Sequence, residues 1–204
     1  MGRMRIDPRQ AAALVRLGPL LPASCYLAGG VGLAMHLDHR TSRDLDFFAT
    51  TDPTLLLPTL EALPGVVISD RASGTVHLVM DGVPVTLLEY RYPLLAAPVR
   101  FDDVPVPIAS LVDLACMKLS AIASRGAARD FWDLHAVISA RIESLGELLA
   151  AFQTKFAAVD VGHVVRSLVY FGDADAEPLP GGLTAAHWTA VKRDLERWVR
   201  ALQD

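Results

Sequence analysis

A chain of 204 residues that is 52% hydrophobic and 21% charged has ample apolar material for a core and too little charge to be disordered. Its formal net charge of -4 argues against coating nucleic acid non-specifically, though not against a local basic groove. The opening MGRMRIDPRQ has no apolar signal core, no apolar run reaches transmembrane length, and Cys25 and Cys116 lie in apolar surroundings without CxxC spacing. These features read as a soluble cytoplasmic protein with reduced, buried thiols.

Asp7-Pro8 is a cap signal followed by proline at a first helical position, and predicts a helix through about Leu17. SCYLAGG reads as a short strand ending in a glycine turn, VGLAMHLD as a helix, and RDLDFFA as the next strand. Asp52-Pro53 repeats the cap signal before TLLLPTLEALPG, where Pro58 should kink or shorten the helix. VVISDRA, TVHLVMD and VPVTLLEY are strand-like, with Asp81-Gly82 as a hairpin turn between the last two. After the proline-rich PVRFDDVPVPIAS the pattern becomes helical in SLVDLACMKLSAIAS, AARDFWDLHAVISA, LGELLAAFQTKFA and LTAAHWTAVKRDLERWVRAL, with FGDADAEPLPGG as a loop. The expected layout is an α/β core over 1–108 and a helical region over 109–204, forming one compact unit.

Asp44 and Asp46 raise the chemical question. Strand residues i and i+2 share a face, roughly 6.5–7 Å apart. Two close carboxylates repel, and burial increases the cost. A hard divalent cation removes the conflict, and Mg²⁺ favours a few carboxylates plus substrate phosphates. The bland alternative is that the strand ends there and both aspartates are solvated. Just upstream, Gly29-Gly30 leads into a helix, so backbone can approach phosphate and free N–H groups lie at the helix start.

LAGGVGLAMHLDHRTSRDLDFF resembles the signature of the nucleotidyltransferase superfamily, in particular the AbiEii/AbiGii-type toxins with their GG-helix-HR-S-DLDFF segment. VPVTLLEYRYPLL and IASLVDLACMKLSAIASRGAARDFWDLHAV match further family blocks, in the family's order. The resemblance implies a minimal nucleotidyltransferase fold, a mixed sheet flanked by helices, with an α-helical C-terminal half that completes the active site. It implies that Asp44 and Asp46 hold Mg²⁺ against an NTP, that Lys118 touches the phosphates, and that Asp133 completes the site as a base or positioning group. Gly29, Gly30, Arg40, Ser42 and Arg125 are the candidate nucleotide-binding residues. The implied activity is transfer of NMP from an NTP to an acceptor, an RNA such as a tRNA end, by the toxin of a toxin–antitoxin pair with a cognate antitoxin protein. The alternatives are a protein or small-molecule acceptor, or an inactive nucleotide-binding module.

The residues themselves leave several readings open. Lys118, Arg125, Arg129 and Asp133 are spaced by seven, four and four, which would align them on one helix face, but Gly126 interrupts the run. Lys118 alone reads as a snorkelling surface lysine; inside the matched block it reads as the phosphate-binding lysine, whose loss should weaken NTP binding without unfolding the protein. Asp130 caps the second helix or pairs with Arg125 or Arg129. Arg40, Arg43, Lys118, Arg125 and Arg129 could form a positive rim. Two departures from the superfamily pattern stand out: Val31 where Ser or Thr is frequent, and no Asp in VPVTLLEY, with Glu89 the sole candidate for a third carboxylate. His36 and His39 have no metal-motif spacing, and His36 reads as a packing residue.

Overall fold

Asp7 opens the first helix as its sequence foretells. In the computed structural model, which describes residues 6–102 and 104–202, α1 spans Pro8–Leu17 behind a reciprocal capping box between Asp7 and Gln10. Residues 1–5, part of the stretch read for a signal core, lie outside the described residues. The chain divides into two compact units, Met1–Ser110 and Leu111–Asp204.

The first unit is built on a five-stranded mixed sheet in the order β1-β2-β5-β4-β3. Strand β1 is Tyr26–Leu27, β2 Leu45–Ala49, β3 Val66–Ala72, β4 Thr75–Met80 and β5 Val83–Glu89. Strands β2 and β5 pair in parallel, and the other neighbours are antiparallel. Helix α2, Gly29–Leu37, connects β1 to β2. The β4–β5 hairpin turns on Asp81 (φ 49°) and Gly82 (φ 83°), the paired left-handed conformations of a two-residue turn whose twist suits the flanking strands. Pro58 does divide its segment: a 3-10 turn at Pro53–Leu56 precedes α3, Leu57–Glu61.

One face of this sheet carries Leu45, Phe47, Val76, Leu78, Val85 and Leu87, which join α1 and α2 side chains such as Leu14, Leu17 and Val31 in a continuous core. Alternation turns Asp46 and Phe48 to the other face. Helix α1 also steadies the loop ahead of β2. Buried Gln10 donates its amide N–H to the Ser42 carbonyl at 3.0 Å.

The second unit is helical: α4 Leu111–Arg125, α5 Ala128–Ser139, α6 Leu145–Lys155, α7 Val161–Ser167, α8 Gly172–Ala176 and α9 Ala185–Arg200. Gly126 (φ 57°) ends α4, so the charged residues at 118, 125, 129 and 133 lie on two helices instead of one. Two elements depart from expectation. Helix α8 lies inside FGDADAEPLPGG, read as a loop, and α7 occupies a stretch that carried no helix assignment. Both are one to two turns long. Asp160 caps α7 through the N–H groups of Gly162 and His163, while Asp175 of α8 accepts from Trp188 Nε1 at 2.7 Å and from Lys192. Among the described residues no helix is long and apolar enough to cross a membrane.

Candidate active site

The candidate residues fall into two groups, one in each unit. In the first unit, β1 ends at Leu27 and the chain enters α2 at Gly29, whose φ of 62° only glycine adopts without strain. The two glycines are therefore the first turn of the helix and not a turn before it. Ala28 occupies the cap position, and no side chain caps the helix there.

The Ala28 N–H donates to the Asp46 carbonyl at 2.9 Å, which locks the start of α2 onto β2. The Asp46 carboxylate leans over Gly29, and a Cβ added at that glycine would lie 2.1 Å from Oδ2. A Cβ at Gly30 would meet the Ser42 hydroxyl oxygen at 2.5 Å and an Arg40 guanidinium nitrogen at 2.8 Å. Gly29, Gly30, Arg40, Ser42 and Asp46 thus converge at the N-terminus of α2, where backbone N–H groups and the helix dipole favour anions. Val31 points its side chain into the core, so the hydroxyl at this end of the helix comes from Ser42.

Asp44 departs from the expected strand pair. It lies one residue before β2 and is exposed, whereas Asp46 is inside the strand and half-buried. The parallel register settles the position of Glu89. Asp46 pairs with Thr86, and Glu89 pairs with Ala49, whose face is the core face. Glu89 engages Arg91 at 2.6 Å. The strand neighbour of Asp46 is therefore Thr86, whose hydroxyl lies 3.3 Å from Nδ1 of its own cross-strand partner, His77. Sequence reasoning passed over Thr86 and His77; only the register of β2, β5 and β4 puts them in one row. His36 is a packing residue as expected. Its Nε2 lies 2.9 Å from the Ala109 carbonyl, its ring meets Phe101 edge-on, and burial lowers its pKa against the opposing effect of that carbonyl.

The close approach at Gly29 gives a direct expectation. Gly29→Ala forces a left-handed alanine and drives the Asp46 carboxylate from its place. Transfer should fall about a hundredfold, the scale of a misplacement of roughly 1 Å. The backbone strain should cost only about 1–2 kcal/mol. Rates and melting curves on the purified variant check this, and near-parental transfer would overturn it.

In the second unit, Lys118 corrects the expectation that its loss leaves the fold untouched. Its side chain is only 9% exposed, and Nζ lies 2.9 Å from Asp130 Oδ1 and 2.8 Å from Asp133 Oδ2. Arg125 closes on the same aspartate, with Nε 2.7 Å from Oδ2 and a second N–H to Oδ1 at 2.9 Å. Asp130 is fully buried. Burial pushes its pKa up, but the Arg125 hydrogen bonds and the Lys118 and Arg125 charges prevail and hold it below the usual carboxylate range. Two cations and two anions cancel here, so Lys118 and Arg125 lend less to a positive rim than their sequence positions suggest. Arg129 is exposed.

A second buried pair, Lys155 Nζ to Asp113 Oδ1 at 2.7 Å, has both side chains fully enclosed. Its signal was present as single charges inside the apolar runs SLVDLAC and FQTKFA. Cys25 and Cys116 are buried, and burial pushes both thiols up to about 12, which makes them poor nucleophiles.

The mixed sheet with its parallel β2–β5 pair and the glycine start of α2 agree with the nucleotidyltransferase fold that the resemblance implies, and the comparisons identify the class. The chain belongs to the AbiEii family, described as nucleotidyl transferase AbiEii toxin, type IV TA system, whose family model matches residues 76–203. That match begins beyond the glycine pair and the two aspartates. An uncharacterized protein of Aquifex aeolicus (strain VF5) is 35% identical over 211 residues, covering 98% of both chains. In fold the chain is similar to MenT4, a nucleotidyltransferase toxin from Mycobacterium tuberculosis H37Rv, with a TM-score of 0.62 at 18% identity over 93% of this chain and 85% of that one.

Proposed function

We propose that this enzyme moves the nucleoside monophosphate of an NTP onto an RNA end, a tRNA end being the acceptor we favour, in a magnesium-dependent reaction. We place it as the toxin of a toxin–antitoxin pair with a cognate antitoxin protein, following the family's description. The observation that carries the reading is the convergence of Asp46, Ser42 and Arg40 on the uncapped, glycine-built N-terminus of α2.

The donor set suits magnesium. Asp44 and Asp46 offer the hard oxygen ligands that such a cation prefers. Such a site supplies one or two carboxylates and leaves the remaining positions to substrate phosphates and water. Asp44 and Asp46 would hold the cation, which when bound offsets charge developing on the phosphates. The first N–H groups of α2, the Ser42 hydroxyl and the Arg40 guanidinium hold and orient the triphosphate. The acceptor oxygen forms a bond to the α-phosphorus, the bond to the β-phosphate oxygen breaks, and pyrophosphate leaves. Lys118 and Arg125 retain their assignment to phosphate binding as part of this proposal. Asp133, 2.8 Å from the Lys118 ammonium group, suits a supporting role that positions Lys118.

Thr86, standing beside Asp46 in place of a third carboxylate, favours one competing reading, a nucleotide-binding module without turnover. Incubation with each α-labelled NTP and total RNA, with and without Mg²⁺, separates the two. Label should enter RNA only when Mg²⁺ is present. NTP binding without any transfer would sink the enzyme reading, and transfer to protein alone would sink the RNA acceptor.

A further inference from the structure

The face of the first unit's sheet that carries Asp46 continues into a row of aromatic rings. Phe48 follows Asp46 by two residues on that face, and Tyr26 is its cross-strand partner on β1. Tyr26 stacks on Phe48 with ring centres 6.0 Å apart and planes 17° apart. Phe48 meets Tyr90 edge-on at 5.0 Å, and Tyr90 meets Tyr92 at 5.1 Å. Exposure rises along the row, from 4% at Tyr26 to 50% at Tyr92.

Beside the rings lies a groove of about 420 Å³, lined by Tyr26, Thr50, Tyr90, Arg91, Tyr92 and Leu94 among others. Arg91 is the single charged residue in that lining. Two N–H groups of its guanidinium donate to Glu89 Oε1 at 2.8 and 2.6 Å, which fixes the group while leaving its side chain 82% exposed.

We propose that this groove docks single-stranded RNA, with unpaired bases stacking on Tyr92 and Tyr90 and Arg91 facing the backbone phosphates. The inference rests on the nucleotidyltransferase reading and names the surface that guides the acceptor. Rings that only packed a core would be enclosed, and this row instead opens to solvent. Every base has a π-face, so such a row accepts a strand with little regard to sequence. Arg91 is paired with Glu89 through one edge of its guanidinium, yet it is 82% exposed and is the charged residue of the lining, so its outward edge suits a phosphate. Continuity with the Asp46 face would lead the strand's end towards the carboxylate.

The test is fluorescence anisotropy with labelled oligouridylate and oligoadenylate, run across a salt series, alongside calorimetry of Mg²⁺–NTP binding. Tyr92→Ala should weaken oligonucleotide binding roughly five- to a hundredfold, the range of a lost base–aromatic stack. Tyr92→Phe should bind as the parent does. Arg91→Ala should lower the salt slope by about one. NTP affinity should be unchanged in all three. Equal oligonucleotide affinity in Tyr92→Ala, as expected if the row served a protein partner, would overturn the proposal. A parallel loss of NTP affinity would overturn it too, since the ring would then hold the incoming nucleotide. A parent that binds no oligonucleotide yet transfers label to another acceptor refutes this groove and leaves the transferase intact. Oligonucleotide binding that follows Tyr92 in a protein without transfer supports the groove and refutes the transferase.

Discussion

Asp46→Asn abolishes nucleotide transfer while the protein keeps its fold. Asn preserves the size of the side chain and one acceptor oxygen, so packing against Gly29 is retained. The negative charge is removed. A metal ligand is lost, and with it several kcal/mol of charge stabilisation in the transition state. At 1.36 kcal/mol per tenfold, the rate should fall roughly a thousandfold or more. The stability change should be small and of the opposite origin. A carboxylate at a helix N-terminus contributes about 0.3–1 kcal/mol, and Asp46→Asn forfeits that contribution. Asp44→Asn should also impair transfer with still less effect on stability, because Asp44 is exposed and precedes the strand. Single-turnover transfer and urea melts on the two variants check this. A variant of Asp46 that transfers at close to the parental rate would refute the metal role, and one that unfolds would show that the charge holds the fold.

The features that were legible in the sequence are those whose physics is local. Asp7-Pro8 and Asp52-Pro53 supply their own caps, and Asp81-Gly82 its own turn. The long helices declare themselves by sustained apolar periodicity. Helices α7 and α8 do not. They are too short to show a period, and α8 is tied down by Trp188 and Lys192, which lie well over ten positions further on. The same distinction runs through the site. Glycine, serine, arginine and aspartate at 29, 30, 40, 42 and 46 were found because they share one strand-helix-strand segment. Thr86, and the exclusion of Glu89, depend on which residues two separated strands set side by side, which no pattern within either strand reveals. The structural part of Lys118 was missed for a related reason. A lysine among Cys116, Met117 and Leu119 reads as a snorkelling side chain until two aspartates from the next helix are seen to enclose it.

That enclosure reverses what Lys118 substitutions should do. Removing the ammonium group leaves Asp130 with Arg125 alone and deprives the buried Asp133 of its ion pair with Lys118. Breaking a buried pair by deleting one partner costs about 3–5 kcal/mol, because the remaining charge stays in a poorly solvated place. Lys118→Met, which keeps the apolar stem, should therefore destabilise the protein by that order. The double variant Lys118→Met/Asp133→Asn should recover a good part of the loss. The dependence on pH gives a second reading. In the parent, Asp130 has a lowered pKa, so its contribution is fully present above the ordinary carboxylate range near pH 4 and is lost as pH falls through the lowered value. In Lys118→Met the two aspartates keep less cationic compensation, so less stability is there to be lost on acidification than in the parent. The gap between variant and parent should thus narrow on acidification. Denaturant melts at a series of pH values would show it. A Lys118→Met protein as stable as the parent at pH 7, with no narrowing of the gap in acid, would return Lys118 to the surface and leave its loss of activity, if any, to phosphate binding alone.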